Sequence, residues 1–467
     1  MSDVSSKHPD WSDRRDEWRL MRDCSRGEKA VKEAGERYLP MPSGFRAQDD
    51  KGVGYYAIYQ TRAQVSDTVA QTLAGMVGVI HRVESKIEMP EAMQGLWERA
   101  TKDGLTLEAL HRRITSDLLL MGRYSLLVTG SQEAAGLPYL AGYTAEALIN
   151  WSDERDFYVL DESAPVRNGF EWTDEQRYRV LTLDSGRYKV ETYTGTTPDE
   201  KQPDELQARG GKALTEIPFV VIGAKDLAVS PEEPPLIGVA RSVIAQYQLS
   251  ADYRWQLFMT GQETATVING DAPDAVGAGV VLVLKGEPNM MPDFKYVGPS
   301  GTGIQAHERA LAAEKQNAIA AGARLLDSEK RTAESGDALR LRYTAQTATL
   351  TTISQASAAG LEKALRYVAT IIGANPDEVI VTPNLQFVDQ LMDPQAAANL
   401  VKVWQAGAMS KLSLFENLQR GELISAERSF EEEEEEIAKD QEGVQPEQEI
   451  DPVTGLPVNQ PQDEPAA

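Results

Sequence analysis

PPLIGVARSVIAQYQLSADYRWQLFMTG, residues 234–261, opens on a Pro–Pro break and then runs without interruption. That pattern predicts a long helix over about 236–262. A second such run, IQAHERALAAEKQNAIAAGARLL (304–326), predicts another. At about 1.5 Å per residue it spans roughly 35 Å. Between them lie TATVING (264–270), GVVLVLKG (279–286) and FKYVG (294–298), strand-like pieces separated by Gly and Pro. Two long helices therefore flank a small β-rich insertion.

Working outward, LDSEKRTAESGDA (326–338) is polar and turn-prone. The longest helix is expected next, from about Ala338 to Ile372. Leu350, Ile353, Leu361, Leu365, Val368 and Ile372 mark its buried face. Its middle is crowded with Thr, Ser, Ala and Gly360, which predicts a kink. VIVTPNLQFVD (379–389) reads as extended, and a last helical region is expected over about 394–427. From Ser429 to Ala467, thirteen acids face one base, Lys439. This acidic, Pro- and Gln-rich tail, 431–467, is expected to be disordered.

Upstream, residues 1–35 show no apolar stripe beyond Trp11, Trp18 and Leu20, and read as a partly ordered arm or short helix. Val65, Val69, Leu73, Met76 and Ile80 share one helical face, predicting a helix over 59–80. KIEMP (86–90) follows as an extended piece. Leu107, Leu110, Ile114, Leu118 and Met121 predict a second helix over 106–121, ended by Gly122. YSLLVT (124–129) reads as a strand. From 137 to 223, YLAGY, DFYVL, YRVLTL, YKVETY and PFVVIG are strand signals, with 197–212 an exposed loop. The fold class is α+β, with a twisted sheet in the first half.

The 467 residues suffice for two to four packing units. A lone cysteine, Cys24, excludes an intramolecular disulfide. The N-terminus MSDVSSKHPDW has no signal-peptide pattern, and the longest apolar run, 275–284, is too short for a membrane helix. The net charge is −25, of which the tail from Ser429 carries −12 and the body −13. Tight DNA binding through the general surface is disfavoured, because phosphate affinity comes mainly from Lys and Arg.

Catalytic signatures are missing. His8, His81, His111 and His307 have no metal-ligand spacing, and no HExxH occurs. RGGKALTE (209–216) lacks the glycine spacing of a phosphate loop and has Ala213 where a hydroxyl should bind magnesium. GPSGTG (298–303) matches neither GxGxxG nor GxSxG and reads as a turn before a helix. Carboxylates are abundant, but nothing positions a glycosidase-like pair. No catalytic, cofactor or metal site is expected.

The order of elements resembles tailed-bacteriophage portal proteins, in particular a portal-like group of phage and prophage genomes. The similarity covers about residues 15–425. It is carried by YYAIYQTRAQVSDTVAQTLAGMVGVIHRVESKIEMP (55–90), LLLMGRYSLLVT (118–129), INWS (149–152), IPFVVIG (217–223), PPLIGVARSVIAQYQLSADYRW (234–255) and ARLLDSEKRTAESGDAL (323–339). Each string is weakly specific; their order and spacing are more so.

The resemblance implies an N-terminal arm (1–35), a wing (36–235 with 339–392), stem helices (236–262 and 304–326), a clip (263–303), a tunnel loop (327–338) and a crown (393–430). It implies a homo-oligomeric ring, usually of twelve subunits, at one vertex of a virion. Its partners would be double-stranded DNA passing through, the large terminase subunit, a head–tail adaptor and a major capsid or scaffold protein, with no membrane. Arg254, Arg309, Lys315 and Arg324 are stem candidates for contacts between subunits. Lys330 and Arg331, with Glu329 and Ser335, are tunnel-loop candidates for transient contact with DNA. Two long helices joined by an insertion cannot bury all their faces in one subunit, whereas identical neighbours around a ring can. The competing expectations are another virion structural protein, such as a head–tail adaptor or minor capsid protein, and a phage hydrolase.

Overall fold

The computed structural model describes residues 3–130, 137–203, 206–261, 263–273, 275–276, 283–286, 289–298, 301, 303–322, 336–385, 387, 394–420, 423–425 and 428–443. Helix and strand mix along the chain, which divides into two units, 1–385 and 386–467. Among the described residues, no helix is long and apolar enough to cross a membrane.

The first unit begins with α1 (Pro9–Arg26) and α2 (Glu28–Glu33). Where a partly ordered arm or short helix is expected there are two helices, and Trp11, Trp18, Met21, Cys24 and Val31 are buried. The sequence stripe was obscured because polar contacts help seat α1. Trp18 Nε1 donates to Met121 O at 3.0 Å, and Arg22 bridges Glu146 at 2.9 Å and Asp117 at 3.0 Å.

α3 (Ser43–Arg46), α4 (Asp49–Arg62) and α5 (Thr68–Ile80) follow. The single helix expected over 59–80 is therefore two. Ala63 is extended, and the Gln64 N–H donates to Ser250 Oγ at 3.0 Å instead of continuing a helical ladder. β1 (Lys86–Glu88) and α6 (Gly95–Glu98) lead to α7 (Leu107–Met121). Local chemistry fixes both ends of α7. Thr106 Oγ1 accepts from Ala109 N at 3.2 Å. Gly122 takes φ 73°, the left-handed conformation that suits glycine after a helix. All five stripe residues of α7 are buried. Full burial of each such side chain is worth about 1.5–3 kcal/mol.

The strands of this half are β2 (Arg123–Thr129), β3 (Tyr139–Thr144), β4 (Leu148–Trp151), β5 (Phe157–Asp161), β6 (Ala164–Asn168), β7 (Glu171–Glu175), β8 (Arg177–Asp184), β9 (Arg187–Thr194), β10 (Thr197–Pro198), β11 (Gln207–Ala208), β12 (Lys212–Ala213) and β13 (Phe219–Gly223). They do not form the single sheet that the pattern implied. One sheet has the order β13-β2-β3, another β10-β9-β8-β5-β4, and β6-β7 and β11-β12 are separate hairpins. The loop expected over 197–212 holds β10, β11 and the start of β12. A seam of aromatic rings joins the two main sheets. Phe219 lies 6.1 Å from Tyr143 and 4.8 Å from Tyr158, centroid to centroid.

α8 (Ile237–Thr260), β14 (Thr264–Ile268), β15 (Asp293–Val297) and α9 (Ile304–Ala321) come next. The strand expected at 279–286 falls partly outside the described residues, and 283–286 are not strand. α9 stops at Gly322, short of the expected 326. α10 (Gly336–Ile372) begins inside the segment expected as a loop to 338, and its helical path is unbroken through the stretch expected to kink. Packing supports that stretch: Ser354, Ser357, Leu361 and Leu365 are all buried. Gly360 lets α10 lie close to β13, where an added Cβ would sit 2.4 Å from Ile222 Cδ1. His81 and His111 cross at 5.0 Å beneath α10, bonded to Thr115 and Ser357 at 2.9 and 3.1 Å. β16 (Ile380–Thr382) then pairs with β1.

In the second unit, the region expected to be helical over 394–427 is α11 (Pro394–Gln405) and α12 (Lys411–Arg420). The acidic tail is not wholly unstructured as expected, since α13 spans Phe430–Gly443. A reciprocal cap starts it. Glu432 N donates to Ser429 Oγ at 3.2 Å, and Ser429 N donates to Glu432 Oε2 at 2.9 Å. Glutamates in the first turn also complement the helix dipole. Phe430 packs on Phe415, centroids 5.5 Å apart.

Candidate functional site

α8 and α9 form an antiparallel hairpin whose root and tip differ. At the root, Gly238 faces Ala321, so closely that an added Cβ would be 3.0 Å from Ala321 Cβ. Further along, Gln246 Nε2 donates to Glu314 O at 3.4 Å, and Tyr253 OH donates to Glu308 Oε1 at 3.1 Å. Near the tip, Gly303 leaves room for Gln256, whose Nε2 would be 2.9 Å from a Cβ there. The root of α8 is buried through Val239, Val243, Tyr247 and Ala251; beyond Ala251 no residue of α8 is buried. In α9 the one buried residue is Ala318.

The tip instead shows apolar side chains to solvent. Leu257 is 39% exposed, Met259 46% and Tyr296 of the β14–β15 hairpin 56%. Beside it, α3 and α4 contribute an aromatic cluster. Trp255 meets Phe45 at 5.2 Å and Tyr59 at 6.0 Å, and the Arg62 guanidinium lies 3.8 Å over the Phe258 ring. Val53, Tyr55 and Ile58 of α4 remain exposed around this cluster. Exposed apolar side chains thus occur on α4, at the hairpin tip and on the insertion.

The candidate charges fall as follows. Arg254 is half-buried, beside Tyr253 and thus level with Glu308 and Arg309 across the hairpin. Arg309 and Lys315 are exposed. None of the three forms an ion pair with another described residue. Arg324, Glu329, Lys330, Arg331 and Ser335 lie outside the described residues. Among the described residues, no group of three or more His, Cys, Asp or Glu is placed to hold a metal. The charge-based reading missed Val53, Tyr55, Ile58 and Trp255, although YYAIY (55–59) was an available signal. It also missed the exposed Phe170 and Trp172 of the β6–β7 hairpin, which Asn168–Gly169 announces as a tight turn.

Comparison with known proteins gives these findings. A family model described as a domain of unknown function (DUF4055) matches residues 235–371, from just before α8 to the last turn of α10. No curated protein matches the sequence. Among solved structures, the chain is similar to one from the virion of a native gene transfer agent particle, at 16% identity and TM-score 0.40, covering 76% of this chain and 90% of that chain. It is similar to a chain from the neck of a native gene transfer agent particle computed with C12 symmetry, at 15% identity and TM-score 0.39, covering 78% and 90%. It is similar as well to a chain from the neck of an empty particle computed with C6 symmetry, at 14% identity and TM-score 0.38, covering 74% and 88%.

Proposed function

We propose that this chain is a portal-type subunit, a non-enzymatic component of a homo-oligomeric ring through which double-stranded DNA enters and leaves a phage-type capsid. The observation that carries this reading is the α8–α9 hairpin, buried at its root and apolar but uncovered toward its tip. Copies of the same hairpin around an axis cover those faces through head-to-tail contacts that close, with twelve subunits the expected number. Arg254, Arg309, Lys315 and Arg324 are assigned to the contact with a neighbouring hairpin.

The acidic chain suits a passage that DNA slides through, since a net charge of −25, of which the body carries −13, opposes tight phosphate binding. Lys330 and Arg331, flanked by Glu329 and Ser335, are assigned to brief contact with the duplex. The β14–β15 end is assigned to the large terminase subunit and the head–tail adaptor, and the α+β first half to the capsid or scaffold protein. The protein's place is then the virion. Electron microscopy and native mass of the purified full chain test this. Rings with an axial hole, and no ATPase or nuclease activity, are expected. A 51.3 kDa monomer under every assembly condition overturns the reading.

A further inference from the structure

The seam between the two main sheets holds polar groups that the chain itself leaves without partners. Arg123 opens β2 and is 1% exposed, yet its Nε and both Nη atoms make no hydrogen bond. Ser125 lies two residues on, hence on the same face of the strand, and its Oγ is also buried and unpartnered. Trp151 of β4 stacks on Arg123, with Cζ 4.2 Å from the ring centroid, and its buried Nε1 has no acceptor. The strand registers place all three in the seam. Ser125 is opposite Tyr143 and Val221, Tyr143 touches Phe219, Phe219 touches Tyr158, and Tyr158 pairs with Trp151.

The N-terminal segment closes over this group. The His8 ring stacks on Trp151 at 4.1 Å, the His8 backbone N–H donates to Ile149 O at 2.8 Å, and Asn150 Nδ2 donates to Ser6 O at 3.2 Å. No described carboxylate forms an ion pair with Arg123. Burial pushes its guanidinium down to about 9, outweighing the opposite pull of Tyr158 and Asp10. Native interiors seldom leave such donors unmade, and a buried charge needs a countercharge. Guanidinium, indole N–H and hydroxyl are all able to donate. The species that answers them together accepts hydrogen bonds and carries negative charge; water answers the donors but not the charge.

We propose that a single small inorganic anion of the chloride class binds at the N–H edge of the Arg123 guanidinium, beside Ser125 and the edge of Trp151, as a structural ligand of the seam. The test melts the purified full chain in sodium chloride and in sodium gluconate at matched ionic strength, so that screening is equal. A higher Tm in chloride, rising with concentration and levelling off, is expected. Arg123→Met should abolish the difference, and Ser125→Ala should reduce it. In bromide-soaked crystals, one anomalous peak should lie against Arg123 and Trp151. Equal melting of the natural chain in the two salts, the same chloride response in Arg123→Met, or no anomalous peak in the seam overturns the proposal. If Arg123→Met does not fold, the salt comparison and the bromide map on the natural chain still decide.

Discussion

Helices α7 and α9 are close in length, 15 and 18 residues, and have opposite surroundings. α7 buries nine residues against α1, α5, α6, α10 and β2, whereas α9 buries only Ala318. The first helix is consumed by the core of its own chain. The second leans on α8 and offers the rest of its length to something else. Length and amphipathic pattern alone do not separate these roles; what covers the apolar face does.

The difference predicts where substitutions act. Leu118→Ala in α7 should create a cavity and cost about 2–5 kcal/mol, read as a lower denaturant midpoint. A cost under about 1 kcal/mol would break the contrast. Acid should strike the same region. Burial, assisted by Arg112, pushes His81 down from 6.5 to about 4, and burial beside His81 lowers His111 as well. Both folded values lie below the unfolded one, so the fold favours the neutral rings. Their contribution is complete above about pH 6.5 and is lost as pH falls toward 4, on the order of 3 kcal/mol for His81. Replacing His81 and His111 with Gln should flatten the dependence of stability on pH in that window.

Gly360→Ala sharpens the comparison from the other partner of α7. The added methyl meets Ile222 on β13, and overpacking of about 1–3 kcal/mol is partly offset by alanine's better helix propensity of about 1 kcal/mol. A net loss of roughly 1 kcal/mol in thermal or chemical unfolding is expected. The smallest effect on folding belongs to the hairpin tip. Leu257→Ser or Arg309→Ala should change the unfolding of the isolated chain by no more than about 0.5 kcal/mol. Under the ring reading, Leu257→Ser should nevertheless reduce assembled particles in sedimentation. Equal loss of folding and assembly would place Leu257 in the chain's own core instead.

The candidate hairpin was legible because Pro234-Pro235, two unbroken runs and the Gly-rich text between them are local signals. Its uncovered apolar surface was less so, because Val53, Tyr55 and Ile58 come from a helix distant in sequence from Leu257 and Met259. The seam was not legible as a site. Arg123 reads as the polar start of a strand until a second sheet and the N-terminal segment bury it. The Glu431–Glu436 run misled for another reason: its composition argues for disorder, while Ser429 and Glu432 form a capping box that starts a helix.

Sequence alone determined the elements whose ends are set within a turn of themselves. Thr106 and Gly122 bound α7, and the stripe between them names its buried face. Tertiary structure decided the break at residues 63–67, where the Gln64 N–H goes to Ser250, 186 positions away. It also decided the division of the strands between two sheets and which apolar faces stay open. The physical reason is the range of the interaction. Caps and periodicity are read within a few residues, but a backbone donor or an apolar face is satisfied by whatever the rest of the fold brings to it.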